Sequence, residues 1–408
     1  MILIVSLILV MFILKLVISI LNYQHSIKSV PENVAHIYDQ EVYQKWLDYH
    51  RDQMKFGLIS KSVSLIVILL LLMFKVFGWL EALSLELSGS VYLQTLIFLG
   101  IYFLFDSLIA IPFDYYLTFV IEEKHGFNKS TKKTFWIDQI KNFLLTIVLM
   151  GGIILGLLAI YRAFVNQIWI FILGAWLVLT AVMILMFLLN TKVFVKLFNK
   201  LTPLEEGSLK SSIDELASKL GFEINKISVM DASRRSTKLN AFFSGLGKQR
   251  DVVLYDTLIE KMSEEQILAV LGHELSHALH KDTTKMLIQQ ILVFGVFASF
   301  IGLILNWTNL FTDLGLQGIN FGFAMILFSI LMEPISMLIG IPTNYLSRVA
   351  EYRADKFGAE QVSKEAMISA LEVISRENFA NLNPHPLFVT LYYNHPTTSD
   401  RIKAINAQ

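Results

Sequence analysis

The first 21 residues, MILIVSLILVMFILKLVISIL (1–21), decide the surroundings in which this chain folds. The run is long enough to cross a bilayer core of about 30 Å, which takes roughly 20 helical residues. Its only charged side chain is Lys15, and it lacks both a basic start and a small-residue cleavage site. We therefore expect a retained membrane anchor rather than a removed signal peptide.

The rest of the chain carries the same apolar signal. Of its 408 residues, 54% are hydrophobic and 12% aromatic, more than is usual in a soluble domain. Six further stretches are apolar and long enough to span a bilayer, and they lie near 62–84, 90–121, 143–161, 167–190, 287–308 and 315–341. We therefore predict a predominantly α-helical integral membrane protein with seven transmembrane helices.

Charge and cysteine content exclude several kinds of function. The 34 basic and 34 acidic residues balance, so the net charge gives no reason to expect a nucleic-acid partner. The chain has no cysteine, which excludes disulfides, thiolate metal sites and a cysteine nucleophile. Any metal ion must therefore be bound by imidazole and carboxylate groups.

The positions of the basic residues predict the orientation in the membrane. All Lys and Arg residues except Lys15, Lys75 and Arg162 fall after spans one, three and five or in the C-terminal tail. Loops that are rich in Lys and Arg stay in the cytoplasm. We therefore place these loops and the tail on the cytoplasmic side.

The alternation of apolar and polar sequence divides the chain into four units. We expect transmembrane helices 1–5 with their loops in 1–190 and helices 6 and 7 in 287–341. The two mainly polar units are 191–286 and 342–408, and we expect them to fold together as one domain.

The first polar unit has its own order of elements. An amphipathic helix is predicted over 202–222, three β-prone runs over 227–232, 239–246 and 251–259, and a second helix over 262–280. Ser263 is suited to cap the start of that second helix. The pattern predicts a small β-sheet between two helices.

A chemistry-bearing motif lies on the second helix, in LGHELSHALHKD (271–282). Positions i and i+4 of a helix lie one above the other, so His273 and His277 can present ring nitrogens to one metal ion. Glu274 is offset by one residue, which suits a general base acting on a metal-bound water. This H-E-x-x-H spacing predicts a zincin-like α+β metalloprotease domain with one Zn²⁺ per chain, although a surface turn without metal could carry the same letters.

A catalytic zinc ion needs a third protein ligand and an open position for water. After the motif the chain is apolar, and of the next acids Asp313 is expected across the membrane and Glu333 inside span seven. Glu351 is the first carboxylate back on the cytoplasmic side. His277 and Glu351 each lie about ten residues from one end of the hairpin formed by spans six and seven, roughly 15 Å from the same membrane face. We therefore predict Glu351 as the third ligand.

Asp355 and the C-terminal tail supply further candidates. Asp355 follows Glu351 by one helical turn, where it can accept the outer N–H of a ligand histidine, although it could equally be a solvated carboxylate. The tetrahedral oxyanion needs a donor besides the metal. His395 and Arg401 are candidates, and we favour His395 because the following Pro396 restricts its backbone.

Three other polar residues receive structural interpretations. We expect His280 and Asp282 to continue the motif helix on other faces. We expect His125 to organise the loop after span three, and a role in docking that loop against the catalytic part stays open.

Five segments together point to one protein family, and they are IEEKHGFNKST (121–131), NAFFSG (240–245), HELSH (273–277), SRVAEYRAD (347–355) and NHP (394–396). In these segments, and nearly from end to end, the chain resembles the type 1 CAAX prenyl endopeptidases. That family consists of integral-membrane zinc proteases that remove the C-terminal tripeptide from prenylated proteins. The first and fourth segments are far more specific than H-E-x-x-H alone.

The resemblance implies a metal centre of defined composition. His273, His277 and Glu351 would ligate zinc, and Glu274 would be the catalytic base. It also implies seven helices that enclose a large chamber with the site at one end.

The resemblance further implies residues that handle the substrate. Asn240 and Ala241 would lie on an edge strand that aligns the substrate backbone by β-augmentation. His395 would contact the scissile carbonyl, while Arg348 and Asp355 would support the site.

Two departures from the family bear on substrate and location. The chain ends in INAQ without an endoplasmic-reticulum retrieval signal and is compact for a eukaryotic member. We therefore expect a prokaryotic homologue in the cytoplasmic membrane, or the endoplasmic-reticulum membrane if the source is eukaryotic. The expected partners are the lipid bilayer and a peptide or protein substrate; a prenyl group on that substrate and the oligomeric state stay open.

Two other functions fit part of the sequence. A quality-control protease for damaged membrane proteins would use the same chemistry. A transporter with a structural metal site would explain Asp106 and Glu333 inside spans three and seven. Transport leaves the clustering of Glu274, Glu351 and Asp355 unexplained.

Overall fold

The structure, a computed structural model, describes residues 1–244 and 249–407 and is mostly helical. In chain order the helices are α1 (Ile2–Ser26), α2 (Gln40–Met73), α3 (Val76–Leu87), α4 (Val91–Tyr116), α5 (Lys132–Ala163), α6 (Ile168–Leu189), α7 (Val195–Phe198), α8 (Ser208–Lys219), α9 (Asp256–Lys261), α10 (Glu264–Leu279), α11 (Asp282–Leu305), α12 (Thr308–Thr312), α13 (Phe321–Gln361), α14 (Lys364–Glu377), α15 (Pro386–Tyr392) and α16 (Thr398–Asn406). The strands are β1 (Leu201–Pro203), β2 (Glu223–Met230), β3 (Ala241–Ser244) and β4 (Gln249–Tyr255).

Within the described residues, seven helices are long and apolar enough to cross a bilayer. They are α1, α2, α4, α5, α6, α11 and α13, with α4 and α6 each lengthened by a π-helical turn. The predicted integral membrane protein with seven transmembrane helices is confirmed.

The predicted second span, 62–84, is wrong in its bounds. Helix α2 already begins at Gln40 and ends at Met73, and Lys75 has a left-handed backbone with φ of 51° before α3 begins. An L-residue in this conformation interrupts a right-handed helix. The apolar run continues through the break, so hydropathy alone could not show it.

The predicted seventh span also starts too early. The segment before α13 contains Gly315 at φ of 91°, and the helix itself begins at Phe321. Glu81 of α3 holds this segment, accepting the backbone N–H of Gln317 at 2.7 Å and the side-chain amide of Asn320 at 3.1 Å. These contacts fix the start of α13 at the end of the bundle away from the motif.

Helix α13 carries the chain from the membrane into the polar part of the protein. Its 41 residues are about 60 Å long, twice the thickness of a bilayer core. Glu351 lies 30 residues from the start at Phe321, so it stands roughly 15 Å beyond a 30 Å core. Helix α11 starts at Asp282, directly after α10, and returns the chain into the membrane.

The predicted small sheet is present, with strand order β1-β2-β4-β3. Strands β2 and β4 are parallel, while β1 and β3 pair antiparallel at the two edges. The β-prone run 251–259 is strand only to Tyr255, because α9 begins at Asp256, where an acidic residue suits a helix N-terminus. Gly245 of the NAFFSG segment lies outside the described residues.

A partly open cavity of about 460 Å³ lies between α1, α2, α4 and α13. Its lining is mainly apolar but includes Lys15, Asp106 and Glu333. Lys15 forms an ion pair with Glu333, which joins α1 to α13 within the bundle. Glu333 therefore has a partner that stabilises helix packing.

Candidate metal centre

Helix α10 is fixed at its start and along one face. Ser263 and Gln266 form a capping box, in which each side chain accepts the backbone N–H of the other residue. Leu271 and Leu275 are buried in the apolar cluster shared with the sheet. Since these leucines face the sheet, the two histidines of the motif are left to face α13.

Two glycines allow α10 and α13 to lie unusually close together. A Cβ atom on Gly358 would be 2.8 Å from the carbonyl oxygen of Ala269 and 3.1 Å from the backbone nitrogen of His273. A Cβ atom on Gly272 would be 3.3 Å from the Cα of Gly358. This backbone contact, two helical turns after Glu351, sets the distance between the histidines and that carboxylate.

Three side chains converge at this contact with a spacing that suits one metal ion. His273 Nε2 is 3.2 Å from His277 Nε2 and 3.4 Å from Glu351 Oε2, and His277 Nε2 is 3.3 Å from Glu351 Oε1. Ligand atoms on a tetrahedral zinc ion with bonds of about 2.0–2.1 Å are roughly 3.3–3.4 Å apart. The observed spacing and the two-imidazole, one-carboxylate chemistry therefore fit a zinc ion with a free fourth position.

A buried carboxylate orients the first histidine. Asp355 Oδ1 lies 2.8 Å from His273 Nδ1, and its side chain is 1% exposed. Arg401 donates two hydrogen bonds to Asp355, at 2.7 Å and 2.5 Å. Arg401 therefore neutralises the buried acid, and its Nη2 also lies 3.6 Å from Glu351 Oε2, so the alternative that Arg401 contacts the oxyanion stays a prediction.

A second carboxylate, which sequence reasoning missed, orients the other histidine. Asp282 Oδ2 lies 3.0 Å from His277 Nδ1 and accepts a hydrogen bond of 2.5 Å from Arg353. The expectation that Asp282 continues the motif helix is wrong, because α10 ends at Leu279 and Lys281 has φ of 56°. This left-handed turn directs Asp282 back toward His277, and no pattern in the sequence signals it.

The electrostatics of the site favour a bound cation. Burial alone would lower the pKa of His277, but hydrogen bonds with Glu351 and Asp282 raise it to about 9. Burial raises the pKa of Glu274 above its ordinary value, against the opposing influence of His273 and His277. Acceptors surround the imidazole pair, while Glu274 is left with a greater proton affinity than an exposed carboxylate.

The tail residue His395 reaches the same centre. Its Nδ1 lies 2.8 Å from Glu351 Oε2, and its side chain is 55% exposed, so it stands at the open side of the site. Arg348 donates hydrogen bonds to the backbone carbonyls of Tyr393, at 2.6 Å, and Val389, at 3.2 Å. These bonds fix the chain two residues before His395.

The segment predicted to hold a substrate backbone lies beside α10. Strand β3 is an edge strand that contacts α10, and Asn240 immediately precedes it. Asn240 is exposed, and its side-chain oxygen accepts the N–H of Ala241 at 2.9 Å. The metal centre and an edge strand are therefore neighbours.

Two family models together match almost the whole chain. Residues 19–200 match the family described as the CAAX prenyl protease N-terminal region with five membrane helices, and residues 203–408 match peptidase family M48. A probable CAAX prenyl protease 1 from Schizosaccharomyces pombe is 34% identical over 397 residues, which cover 92% of this chain and 82% of the relative. The human CAAX prenyl protease 1 homolog is 30% identical, over 92% of this chain and 88% of the relative.

The fold matches a solved structure nearly from end to end. The crystal structure of S. mikatae Ste24p superimposes with a TM-score of 0.92 at 29% sequence identity. The match covers 99% of this chain and 98% of that one. The similarity therefore includes both the membrane helices and the metal-centre region.

Proposed function

Since the chain belongs to peptidase family M48, with the N-terminal region of the CAAX prenyl proteases, and is thus a membrane metalloendopeptidase, we propose that its catalytic metal is zinc, held by His273, His277 and Glu351. The observation that carries this proposal is that the two imidazole Nε2 atoms lie 3.2 Å apart and each lies 3.3–3.4 Å from one carboxylate oxygen of Glu351. When bound, zinc supplies a Lewis acid that lowers the pKa of its water and polarises the scissile carbonyl.

Glu274 is the proposed general base. It takes a proton from the attacking water and delivers it to the nitrogen of the leaving amine. The pKa of Glu274, raised by burial, supports both steps, because a stronger base accepts the proton more readily and still releases it to an amine. His395 donates to the oxygen of the scissile carbonyl as negative charge develops there.

Four further residues hold this arrangement. Asp355 accepts the Nδ1–H of His273 and so fixes the orientation of that ring. Arg348 fixes the chain segment that carries His395. Asn240 and Ala241 align the substrate backbone as an added strand on β3. We propose that residues 191–286 and 342–408 together form the protease domain. Residues 1–190 and 287–341 form the transmembrane helices.

We place the site on the cytoplasmic side, since the loops on that side carry nearly all of the Lys and Arg residues. The proposed substrate is the C-terminal segment of a membrane-associated polypeptide, and a prenylated CAAX peptide is its first candidate because the curated relatives are named CAAX prenyl proteases. Location in the cytoplasmic membrane of a prokaryote stays a prediction.

Hydrolysis of a farnesylated CAAX peptide and its unprenylated counterpart by the purified, zinc-loaded chain tests the proposal. We expect Glu274→Gln to reduce kcat by at least 100-fold while zinc still binds, because the base is lost and the ligands remain. Glu351→Gln should instead weaken zinc binding. Full activity of Glu274→Gln would contradict the assigned base, and equal rates for both peptides would contradict a role for the prenyl group.

A further inference from the structure

Within the described residues, one side of the edge strand β3 has no neighbouring strand, and the N–H of Ala241 on that side is bonded by the adjacent Asn240 side chain at 2.9 Å, which an added strand would displace. The carbonyl of Asn240 accepts the N–H of Tyr255 at 3.2 Å, so Asn240 faces β4. Backbone groups alternate in direction along an extended chain, and Ala241 pairs with Leu254 in the next row. The backbone groups of Leu239, Ala241 and Phe243 therefore face away from β4, toward the open side.

One position in this open row is already occupied. The side chain of Asn378, at the end of α14, accepts the N–H of Leu239 at 2.8 Å and donates to its carbonyl oxygen at 3.1 Å. An amide side chain that bonds both groups of one residue takes the place that an added strand would use. Pairing on the open side therefore ends at Ala241.

The row is also covered before Leu239. The N–H of Thr237 donates to the carbonyl of Phe127 at 3.3 Å, and the N–H of Lys129 donates to the carbonyl of Arg235 at 3.0 Å. This pairing docks the IEEKHGFNKST loop on the chain that leads into β3. Thr237 and Leu239 thus both have partners on that side, and Arg235 pairs with the same loop.

Asn378 is held firmly where it blocks the edge. The next residue, Phe379, has a left-handed backbone with φ of 51°. Its ring lies among those of Phe127, at 5.0 Å between centroids, Tyr49, at 5.9 Å, and Tyr38, at 6.3 Å. A non-glycine residue keeps this conformation only where its surroundings stabilise it, so the aromatic cluster fixes the direction of the Asn378 amide.

We propose that Asn378 is a specificity-determining stop, which limits how many residues after the scissile bond can pair with the protein. The inference rests on the proposed function, because it takes Asn240 and Ala241 to align the substrate beside the metal. Antiparallel pairing, the more stable kind, places the C-terminal part of a peptide toward the start of β3. That part meets Asn378 at Leu239, directly beyond Ala241 in the open row, so only the first residues after the scissile bond can pair with the edge strand.

A series of peptides with one to six residues after the scissile bond tests the stop in the zinc-loaded full chain. In the wild type, kcat/KM should stay level once the overhang extends past the residues that pair at Ala241, because longer overhangs gain no further backbone hydrogen bonds. In Asn378→Ala the ratio of kcat/KM for the longest to the shortest overhang should rise about tenfold, the equivalent of two backbone hydrogen bonds that become available at Leu239. Asn381→Ala is the matched control, because its amide contacts Ser26 instead, at 2.6 Å, and the ratio should stay at the wild-type value.

A second measurement needs no variant. Methylation of single peptide nitrogens should slow wild-type cleavage where the N–H pairs with β3 and have no effect beyond the first residues after the scissile bond. An unchanged length ratio in Asn378→Ala, the same rise in Asn381→Ala, or equal sensitivity to methylation along the overhang would overturn the stop while leaving the protease intact. Failure of the wild type to cleave any peptide would overturn the proposed function as well.

Discussion

The substitution Asp282→Asn separates metal binding from folding at this site. Asp282 orients His277, and loss of such a partner typically weakens metal affinity by about 10–100-fold, or about 1.4–2.7 kcal/mol. Its charge partners Arg353 and Lys285 are 34% and 63% exposed, so water can solvate them after the change. We therefore expect a metal-free protein destabilised by no more than about 1 kcal/mol.

Asp355→Asn is the informative comparison. Asp355 orients His273 in the same way, but Arg401 is 15% exposed and would be left as a buried charge with a weakened partner. Removing one partner of a buried ion pair costs about 3–5 kcal/mol. This variant should lose both zinc affinity and stability of the metal-free protein.

Zinc affinity can be measured by competition with a chromophoric chelator and stability by thermal unfolding in detergent, with Glu360→Gln as a surface control on α13. Glu360 forms an exposed ion pair with Lys356, at 3.9 Å. Wild-type zinc affinity in Asp282→Asn would refute the orienting role. Equal loss of metal-free stability in Asp282→Asn and Asp355→Asn would refute the argument from exposure of the arginines.

Three further predictions concern the parts that carry the ligands. Gly358→Ala should destabilise the protein and weaken zinc binding in the same chelator assay, because overpacking of α10 against α13 costs about 1–3 kcal/mol, more than the roughly 1 kcal/mol gained in helix propensity. Glu333→Gln should lower the unfolding temperature at a cost of about 1 kcal/mol and leave zinc affinity unchanged, since it breaks only the α1–α13 pair with Lys15. Arg348→Lys should reduce kcat about 10–100-fold without changing zinc affinity, because His395 is misplaced when the two-carbonyl contact is lost.

Periodic features of this protein could be predicted from the sequence. The i, i+4 spacing placed His273 and His277 on one helical face, and the lengths of the hairpin ends brought Glu351 to the same level outside the membrane. Hydropathy over about 20 residues found seven spans. The spatial placement of these residues is predictable because regular helices convert sequence distance into spatial distance, while their role as ligands stays a prediction.

Features that depend on single backbone turns could not be predicted. Lys75 and Lys281 both adopt left-handed conformations within sequence that otherwise reads as helix. The first divides a predicted span, and the second turns Asp282 toward His277. The role of Asn378 could not be predicted either, because its contact with Leu239 joins segments far apart in the chain. Lysine and asparagine at such places carry no distinctive local signal.

The metal centre links the soluble and membrane parts energetically. Its proposed ligands come from α10 and α13, which the chain joins through α11 and α12 and which also pack directly against each other at Gly272 and Gly358. A ligand that binds only the folded state at a concentration a thousandfold above its Kd adds about 4 kcal/mol of stability. Because zinc would contact both helices, that energy acts across the interface where Gly272 meets Gly358. Removal of the metal should therefore loosen α10 from α13 first, while the membrane helices, which bury their own apolar cluster around Phe98, Phe171 and Phe323, stay packed.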